Sequence, residues 1–198
     1  MLKQFLTAVF LFFPVIAFAQ VMSNQAAPDF TLTDTNGQSH SLSDYKGKFV
    51  VLEWFNPDCP FVKKHYNSGN MPGLQKQYTA KGVVWLSIDS SAPGNEGNYP
   101  PQDLNKFMAA KGAAPTAVFT DADGKIGRLY GAQTTPHMFI IDPKGILIYQ
   151  GAIDDTPSAD IDDLKTAKNY VSAALDAAMA GKPVAVSATK SYGCSVKY

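Results

Sequence analysis

The stretch that decides the fold is Glu53-Trp54-Phe55-Asn56-Pro57-Asp58-Cys59-Pro60-Phe61-Val62-Lys63-Lys64-His65. It continues an apolar run that begins at Phe49 and is typical of a buried strand. A turn then delivers Cys59 directly before Pro60, and a helical pattern follows. Because proline is well tolerated at the first position of a helix, this order predicts Cys59 at the helix N-terminus. Unpaired amides and the helix dipole favour the thiolate there, which is the nucleophilic form of cysteine.

The chain contains two cysteines, Cys59 and Cys194. Lys63 and Lys64 follow Cys59 by about one helical turn and would favour its thiolate further. In one interpretation Cys194 is a resolving thiol that attacks a sulfenic acid or a mixed disulfide on Cys59. In another the pair is a permanent disulfide, which would stabilise the fold by about 4–5 kcal/mol in the chain-entropy model because it closes a very long loop. Cys194 as an unpaired thiol on a mobile tail is the third alternative.

The N-terminus carries an export pattern. Lys3 precedes an almost wholly apolar stretch from Phe5 to Phe18, and Ala17-Phe18-Ala19 has the small-x-small spacing of a cleavage site before Gln20. We therefore predict a signal peptide at residues 1–19 and a periplasmic or secreted mature protein without stable membrane insertion. A membrane anchor is the alternative, although the apolar part is short for a span.

Charge and length limit the remaining possibilities. The chain has 17 basic and 17 acidic residues and no basic stripe interleaved with aromatics, so a nucleic-acid partner is not expected. About 180 residues follow the export pattern, enough for one domain with a full core. We predict a linker at residues 20–28, a single domain at residues 29–181 and a C-terminal tail at residues 182–198 that carries Cys194.

The order of predicted elements indicates an α/β fold. Buried strands alternate with helices, a hairpin turn follows at Asp142-Pro143-Lys144-Gly145, and a last helix spans Ala159 to Ala180. This order predicts a central mixed β-sheet flanked by helices on both faces. With a cysteine at the carboxyl end of the first long strand, it is similar to the thioredoxin-like fold.

Three motifs resemble the redoxin group of the thioredoxin superfamily, meaning peroxiredoxin-like (AhpC/TSA-like) and TlpA-like exported proteins. They are Ala27-Pro28-Asp29-Phe30-Thr31-Leu32, Ser41 to Lys48 followed by Val50-Val51-Leu52, and Thr135-Pro136 before His137. The resemblance covers Ala27 to Asp155. It implies a thiol-disulfide oxidoreductase or a peroxiredoxin-like antioxidant enzyme that acts on a disulfide or a peroxide, is recycled by an external thiol reductant, and needs no cofactor.

The resemblance also implies roles for two further residues. Pro136 would be the cis-proline that packs against the reactive cysteine. Glu53 would be the buried acid that takes the proton from the thiol, and burial would raise the pKa of such a carboxyl. An outward-facing or salt-bridged strand residue is the alternative for Glu53. The predicted catalytic set is therefore Cys59, Cys194, Glu53 and Pro136.

The chain departs from the related families at three positions. Val62 stands where a dithiol thioredoxin has its second cysteine, which excludes dithiol exchange within one loop. Leu52 and Asn56 stand where a peroxiredoxin has the proline and threonine of its motif. A non-enzymatic module that binds copper through Cys59, Cys194 and His137 stays open, since thiolate and imidazole suit copper(I), although the spacing predicts no preformed metal site. The substrate and the oligomeric state are not determined by the sequence.

Overall fold

The structure is a computed structural model that describes residues 21–198. The predicted signal peptide at residues 1–19 lies outside the described residues. The strands are β1 (Thr31–Thr33), β2 (Ser39–Ser41), β3 (Val50–Trp54), β4 (Val84–Asp89), β5 (Ala117–Thr120), β6 (Thr134–Thr135), β7 (His137–Ile141), β8 (Leu147–Gly151) and β9 (Cys194–Ser195). The helices are α1 (Pro60–Asn67), α2 (Asn70–Thr79), α3 (Pro101–Ala110), α4 (Lys125–Tyr130) and α5 (Tyr170–Met179).

The central sheet has five strands in the order β5-β4-β3-β7-β8. β3, β4 and β5 run parallel, β7 is antiparallel to β3, and β8 is antiparallel to β7. All five residues of β3 are buried, as expected for the middle strand of a sheet covered on both faces. The predicted mixed sheet is confirmed, and β3 delivers the chain directly into the Cys59 loop.

The two faces of the sheet carry different cores. Alternate residues of a strand point to opposite faces, so β3 contributes to both. The first core is formed with α1, α2, α3 and α5, and its largest members include Phe55, Tyr66, Tyr78, Trp85 and Tyr149. The second is formed with α4 and the N-terminal hairpin, and its largest members include Phe30, Trp54, Phe119, Tyr130 and Phe139. Cys59 belongs to the first core.

The last helix is shorter than the predicted span from Ala159 to Ala180. It begins at Tyr170, where the side chain of Asn169 caps it by accepting a hydrogen bond from the Ser172 amide at 2.9 Å. The acidic residues before it lie in a loop with a 3-10 turn at Asp162–Lys165. The predicted start was wrong because short acidic side chains also bind the amides of their own turns.

Both chain ends of the described region pack on the sheet. The predicted linker runs beside β8, with the amides of Asn24 and Ala27 donating to the carbonyls of Leu147 and Gly145 at 2.7 and 2.9 Å. The C-terminal tail bonds to Gln150 on the same free edge of β8, the edge away from β7, and ends in β9, which pairs antiparallel with β6. Within residues 21–198 no helix has the length and hydrophobicity that a membrane crossing requires.

Candidate active site

Cys59 lies at the N-cap of α1 in extended backbone geometry, with Pro60 as the first helical residue. The predicted position at the helix N-terminus is confirmed. The thiol is fully buried, and its Sγ donates to the backbone carbonyl of Thr135 at 3.0 Å. The Cys59 sulfur is therefore enclosed between the start of α1 and the Thr135 carbonyl.

Thr135 precedes Pro136 in the loop that faces Cys59. The Thr135–Pro136 peptide bond is cis, which confirms the geometry predicted for this loop. The Thr135 hydroxyl is buried and has no hydrogen-bond partner among residues 21–198. It is a spare donor on the residue whose carbonyl contacts the Cys59 sulfur, and it was not among the predicted site residues.

Cys194 is held against the same loop by strand pairing. It is the register partner of Thr135 in the β6–β9 pair, so both side chains lie on one face of that pair. Gly193 makes this approach possible: its φ is +133°, and a Cβ there would collide with the Thr135 carbonyl. Only glycine fits at this position without moving the tail.

Cys194 packs against the buried cluster that contains Cys59, and the two cysteines are not joined by a disulfide in this structure. Burial, hydrogen bonding with Cys59 and the negative charge of its thiolate form together raise the pKa of Cys194 to about 12. The structure thus brings together three of the four predicted site residues: Cys59, Cys194 and Pro136.

Glu53, the fourth, is the centre of a separate polar network. Its carboxylate is fully buried and receives four side-chain hydrogen bonds. The donors are Tyr66 at 2.8 Å, Gln75 at 3.0 Å, Trp85 at 2.7 Å and Ser87 at 2.9 Å. Burial raises the pKa of Glu53, and these donors offset part of the shift. Its hydrogen bonds within the described residues reach neither sulfur.

The two lysines predicted to favour the Cys59 thiolate are engaged elsewhere. Lys63 is half-exposed, with its ammonium 3.7 Å from the Asp58 carboxylate. Lys64 is buried, and its Nζ donates to the Thr156 carbonyl at 3.2 Å. The side chain of Lys64 therefore extends from the helix toward the loop after β8.

His65 and the tail form a buried contact behind α1. The Nδ1 of His65 is 2.8 Å from the Asn70 amide nitrogen, and its Nε2 is 3.4 Å from the Tyr192 hydroxyl. Tyr192 in turn donates to Asp154, whose other carboxylate oxygen has no partner within residues 21–198. Burial, with the nearby charge of Lys64, lowers the pKa of His65 to about 3. The imidazole is therefore neutral.

Asn56 occupies the position where a peroxiredoxin has its threonine, but its amide is already bound. Its Nδ2 donates to the Glu96 carbonyl at 3.0 Å, and its Oδ1 accepts from the Asp58 amide at 2.8 Å. Gly97 lies so close that a Cβ there would collide with this amide. Asn56 fixes the Cys59 loop to the loop after β4.

His137 lies on the opposite face of the sheet from Glu53. Its ring packs against Phe139 at 4.5 Å between centroids, and its Nδ1 accepts from the Gln133 amide at 3.2 Å. Burial lowers the pKa of His137 to about 4. Among residues 21–198 no three His, Cys, Asp or Glu side chains converge as metal ligands, so the copper alternative lacks a third ligand there.

Asp89, at the end of β4, is a further buried acid, and it was not among the predicted site residues. It accepts from the amide and the hydroxyl of Ser91 at 2.9 and 2.6 Å. Burial raises its pKa to about 6, with Asp58 and Asp121 adding to the shift. In the sequence, the signal for Asp89 is an acidic residue at the end of an apolar strand, next to the strand that leads to Cys59.

The site itself is closed. A surface groove of about 480 Å³ lies between α1 and α3 and is lined by Pro57, Asp58 and Lys63 among others, but by neither cysteine. With the tail in place, Cys59 has no exposed surface.

Comparisons with known proteins agree with this fold. The AhpC/TSA family model matches residues 23–150. The thiol-disulfide oxidoreductase ResA of Geobacillus thermodenitrificans is 31% identical over 63% of this chain and 66% of its own length. The chloroplastic peroxiredoxin Q of Arabidopsis thaliana is 31% identical over 75% of this chain and 67% of its own length. The match with the ResA protein therefore spans just under two thirds of that relative.

Two solved structures extend the comparison. An uncharacterized conserved protein from Geobacillus kaustophilus superposes with a TM-score of 0.73 and 26% identity, over 90% of this chain and 93% of that one. A thioredoxin-like protein from Aeropyrum pernix superposes with a TM-score of 0.52 and 23% identity, over 70% and 86%. The fold is thioredoxin-like, and the chain belongs to the AhpC/TSA family.

Proposed function

We propose that this protein is an exported thiol-dependent oxidoreductase in which Cys59 is the nucleophile and Cys194 the resolving thiol. One observation carries the proposal: both cysteines lie against Thr135 of the cis-proline loop, Cys59 through its sulfur at 3.0 Å from the carbonyl and Cys194 as the strand partner, although they are distant in the chain. Membership in a family with relatives named for thiol and peroxide chemistry supports it.

A small hydroperoxide is the oxidant that the closed site favours. The Cys59 thiolate attacks one peroxide oxygen, the O–O bond breaks, and the attacked oxygen stays on sulfur as the hydroxyl of a sulfenic acid. The other oxygen leaves and takes up a proton, which gives an alcohol or water. Cys59 lies at the N-cap of α1, and the unpartnered Thr135 hydroxyl offers a hydrogen bond to the transferred oxygen. Pro136 shapes the loop that presents the Thr135 carbonyl and hydroxyl.

Cys194 then resolves the sulfenic acid. Its sulfur attacks the sulfur of Cys59, the S–S bond forms, the S–O bond breaks, and water leaves with the hydroxyl of the sulfenic acid and the proton of Cys194. Two of the causes that raise the pKa of Cys194 are the hydrogen bond to Cys59 and the charge of its thiolate. Both end when Cys59 becomes a neutral sulfenic acid, so Cys194 gives up its proton more readily at that moment. An external thiol reductant supplies two electrons to restore both thiols.

Disulfide exchange is the second candidate, favoured by the ResA relatives, which are named thiol-disulfide oxidoreductases. In that reaction Cys59 attacks a substrate disulfide and one substrate thiol leaves. Cys194 then attacks the mixed disulfide and releases the second thiol. Because Cys59 has no exposed surface, the tail must first leave the cis-proline loop.

Transient kinetics would distinguish the two substrates. Trp54 and Trp85 are buried near the cysteine-bearing strand and provide a fluorescence signal. We expect hydrogen peroxide to oxidise the reduced wild-type protein faster than oxidised glutathione does, and Cys59→Ser to remove both reactions. In Cys194→Ser, Cys59 should still react with the oxidant, but no Cys59–Cys194 disulfide should form. A Cys59→Ser protein that still consumes peroxide would overturn the proposal.

We further propose that residues 1–19 direct export, that residues 20–28 lead into a single domain at residues 29–181, and that residues 182–198 serve that domain as the carrier of Cys194. The apolar run and the small-x-small pattern before Gln20 support the export step. Expression of the full chain in a bacterial host, followed by periplasmic extraction and mass measurement, tests it. A mature N-terminus near Gln20 is expected, and an uncleaved cytoplasmic product would contradict it.

A further inference from the structure

The last residue of the chain, Tyr198, fills a notch in α4. Two glycines make the notch: a Cβ on Gly124 or on Gly127 would collide with the tyrosine ring or its hydroxyl. The Tyr198 hydroxyl donates to the Ala132 carbonyl at 2.8 Å. The guanidinium of Arg128 lies 4.5 Å from the ring centroid, within the range of a cation–π contact. Gly124, Gly127 and Arg128 thus form a complementary pocket for one aromatic side chain, which we call the seat of Tyr198.

The backbone next to Tyr198 is tied down as well. The Lys197 carbonyl accepts from the amide of Ala92 at 2.8 Å and from the side chain of Asn95 at 3.1 Å. The Val196 amide donates to the Gln133 carbonyl at 3.1 Å. These contacts connect the end of the tail to the loops on either side of the Cys59 site.

A second anchor precedes Cys194. Tyr192 donates to the buried carboxylate of Asp154, and its ring packs edge-on against Phe61 at 5.9 Å between centroids. Cys194 therefore lies between two anchored tyrosines, and the anchors limit where its sulfur can go. Tethering a reactive group close to its target raises its effective concentration and so the rate of the intramolecular step.

We propose that Tyr198 is a positioning residue for Cys194, acting through the seat formed by Gly124, Gly127 and Arg128. This inference rests on the proposed function, because it concerns the step in which Cys194 attacks oxidised Cys59. When Tyr198 is bound in its seat, the tail keeps the Cys194 sulfur close to the Cys59 sulfur. A tail released there leaves the sulfenic acid exposed to a second molecule of oxidant, which converts it to the sulfinic acid.

The test is a double-mutant cycle across the contact. The variants are Tyr198→Ala, Arg128→Ala and their combination, with Tyr198→Phe as the conservative control that keeps the ring. One equivalent of hydrogen peroxide is added to the reduced full chain, and samples are quenched over time with dimedone, which traps sulfenic acid, and with an alkylating reagent. Mass spectrometry then gives the rate of Cys59 oxidation and the rate of Cys59–Cys194 linkage separately.

We expect Tyr198→Ala to slow the linkage step by about tenfold and to accumulate the dimedone adduct. Arg128→Ala should slow linkage by about threefold, and the double variant should be no slower than Tyr198→Ala, because both remove one contact. Tyr198→Phe should recover most of the rate lost in Tyr198→Ala. The bimolecular oxidation of Cys59 should not slow in any variant, which separates positioning from general loss of structure.

Two failures are distinguishable. A wild-type protein that forms no Cys59–Cys194 link would overturn the proposed function. A wild-type protein that links normally, with Tyr198→Ala and Arg128→Ala linking at the same rate, would overturn the positioning role and leave the proposed function standing.

Discussion

Two buried polar centres share one face of the sheet, and they differ in how fully their polar atoms are bound. At the Glu53 centre, a carboxylate receives four side-chain hydrogen bonds from α1, α2 and β4. At the Cys59 centre, one thiol donates to a carbonyl, a hydroxyl has no partner among residues 21–198, and the second thiol arrives on the tail. The first centre resembles a structural support, whereas the second keeps atoms available for chemistry.

This difference changes the interpretation of the buried acid. The resemblance to thioredoxins makes Glu53 a proton acceptor for the thiol, but its oxygen atoms are occupied by donors from other elements. A carboxylate bound in this way stabilises the fold by satisfying the groups around it, and it exchanges protons with difficulty. We therefore propose that Glu53 supports the sheet and its helices, while the chemistry depends on Cys59 and Cys194.

Removing the Glu53 carboxylate should give the largest change in stability. Glu53→Leu leaves four buried donors without an acceptor and should lower the free energy of unfolding by about 4 kcal/mol or more. Glu53→Gln keeps one oxygen acceptor and should cost about half as much. Urea unfolding at neutral pH measures both.

The same variants test the catalytic alternative. At a temperature where Glu53→Gln stays folded, its rate of Cys59 oxidation by peroxide should remain within about threefold of wild type, because Glu53 does not touch the sulfur. A Glu53→Gln protein with unchanged stability and a rate lowered about a hundredfold would make Glu53 the proton acceptor after all.

Acid should destabilise the fold through His65, which contacts Tyr192 of the C-terminal tail. Its folded pKa of about 3 lies below the ordinary value of 6.5, so the unfolded chain binds the proton more readily between these values. Stability contributed by the neutral ring is present above pH 6.5 and is lost as the pH falls. Between pH 7 and pH 4 the loss should be of the order of 3 kcal/mol, and the carboxylate of Asp154 at 3.9 Å should reduce it.

The contribution of Glu53 to folding stability should change with pH in the opposite direction. The raised pKa of Glu53 means that the folded state binds its proton more readily than the unfolded state does, so this group favours folding at low pH. Urea midpoints measured from pH 7 to pH 4 for wild type, His65→Gln and Glu53→Gln separate the two contributions. His65→Gln should lose less stability than wild type on acidification, and equal slopes for the two proteins would refute the role given to His65.

Gly193 should give the smallest energetic effect and the most local one. Gly193→Ala places a Cβ against the Thr135 carbonyl and should push the tail away from the cis-proline loop. We expect Cys59–Cys194 linkage to slow by about tenfold, equivalent to about 1.4 kcal/mol, with little change at the Glu53 centre. Gly181→Ala, at a glycine with positive φ and open space around it, is the matched control. Equal linkage rates in the two variants would show that the approach at Gly193 does not limit the reaction.

Local sequence signals were sufficient to predict the strand, the helix start and the loop that frame the site. A proline directly after Cys59 marks a helix start, and the Thr-Pro pair before a strand marks the loop that faces it. The apolar run through β3 is long enough to indicate a central strand. These features were predictable because neighbouring residues determine each of them.

The contacts that distinguish the two centres come from distant parts of the chain. The tail has no periodic hydrophobic pattern that would predict where it packs. Its pairing with β6 depends on Gly193, which allows close approach to Thr135, and on the seat for Tyr198 in α4. The donors around Glu53 come from three separate elements, and none of them signals its target in sequence. The direction of Lys64, like the start of α5 at Tyr170, was decided by packing and capping that charge patterns do not reveal.

The measurement that tests this account most directly is the mass of the protein after a brief exposure to one equivalent of hydrogen peroxide, with proteolytic mapping of the product. We predict the loss of two hydrogens and a single cross-link between the peptides that contain Cys59 and Cys194, reversed by a dithiol reductant. A protein that keeps both thiols unmodified, or that accumulates oxidised Cys59 without ever joining Cys194, would contradict it.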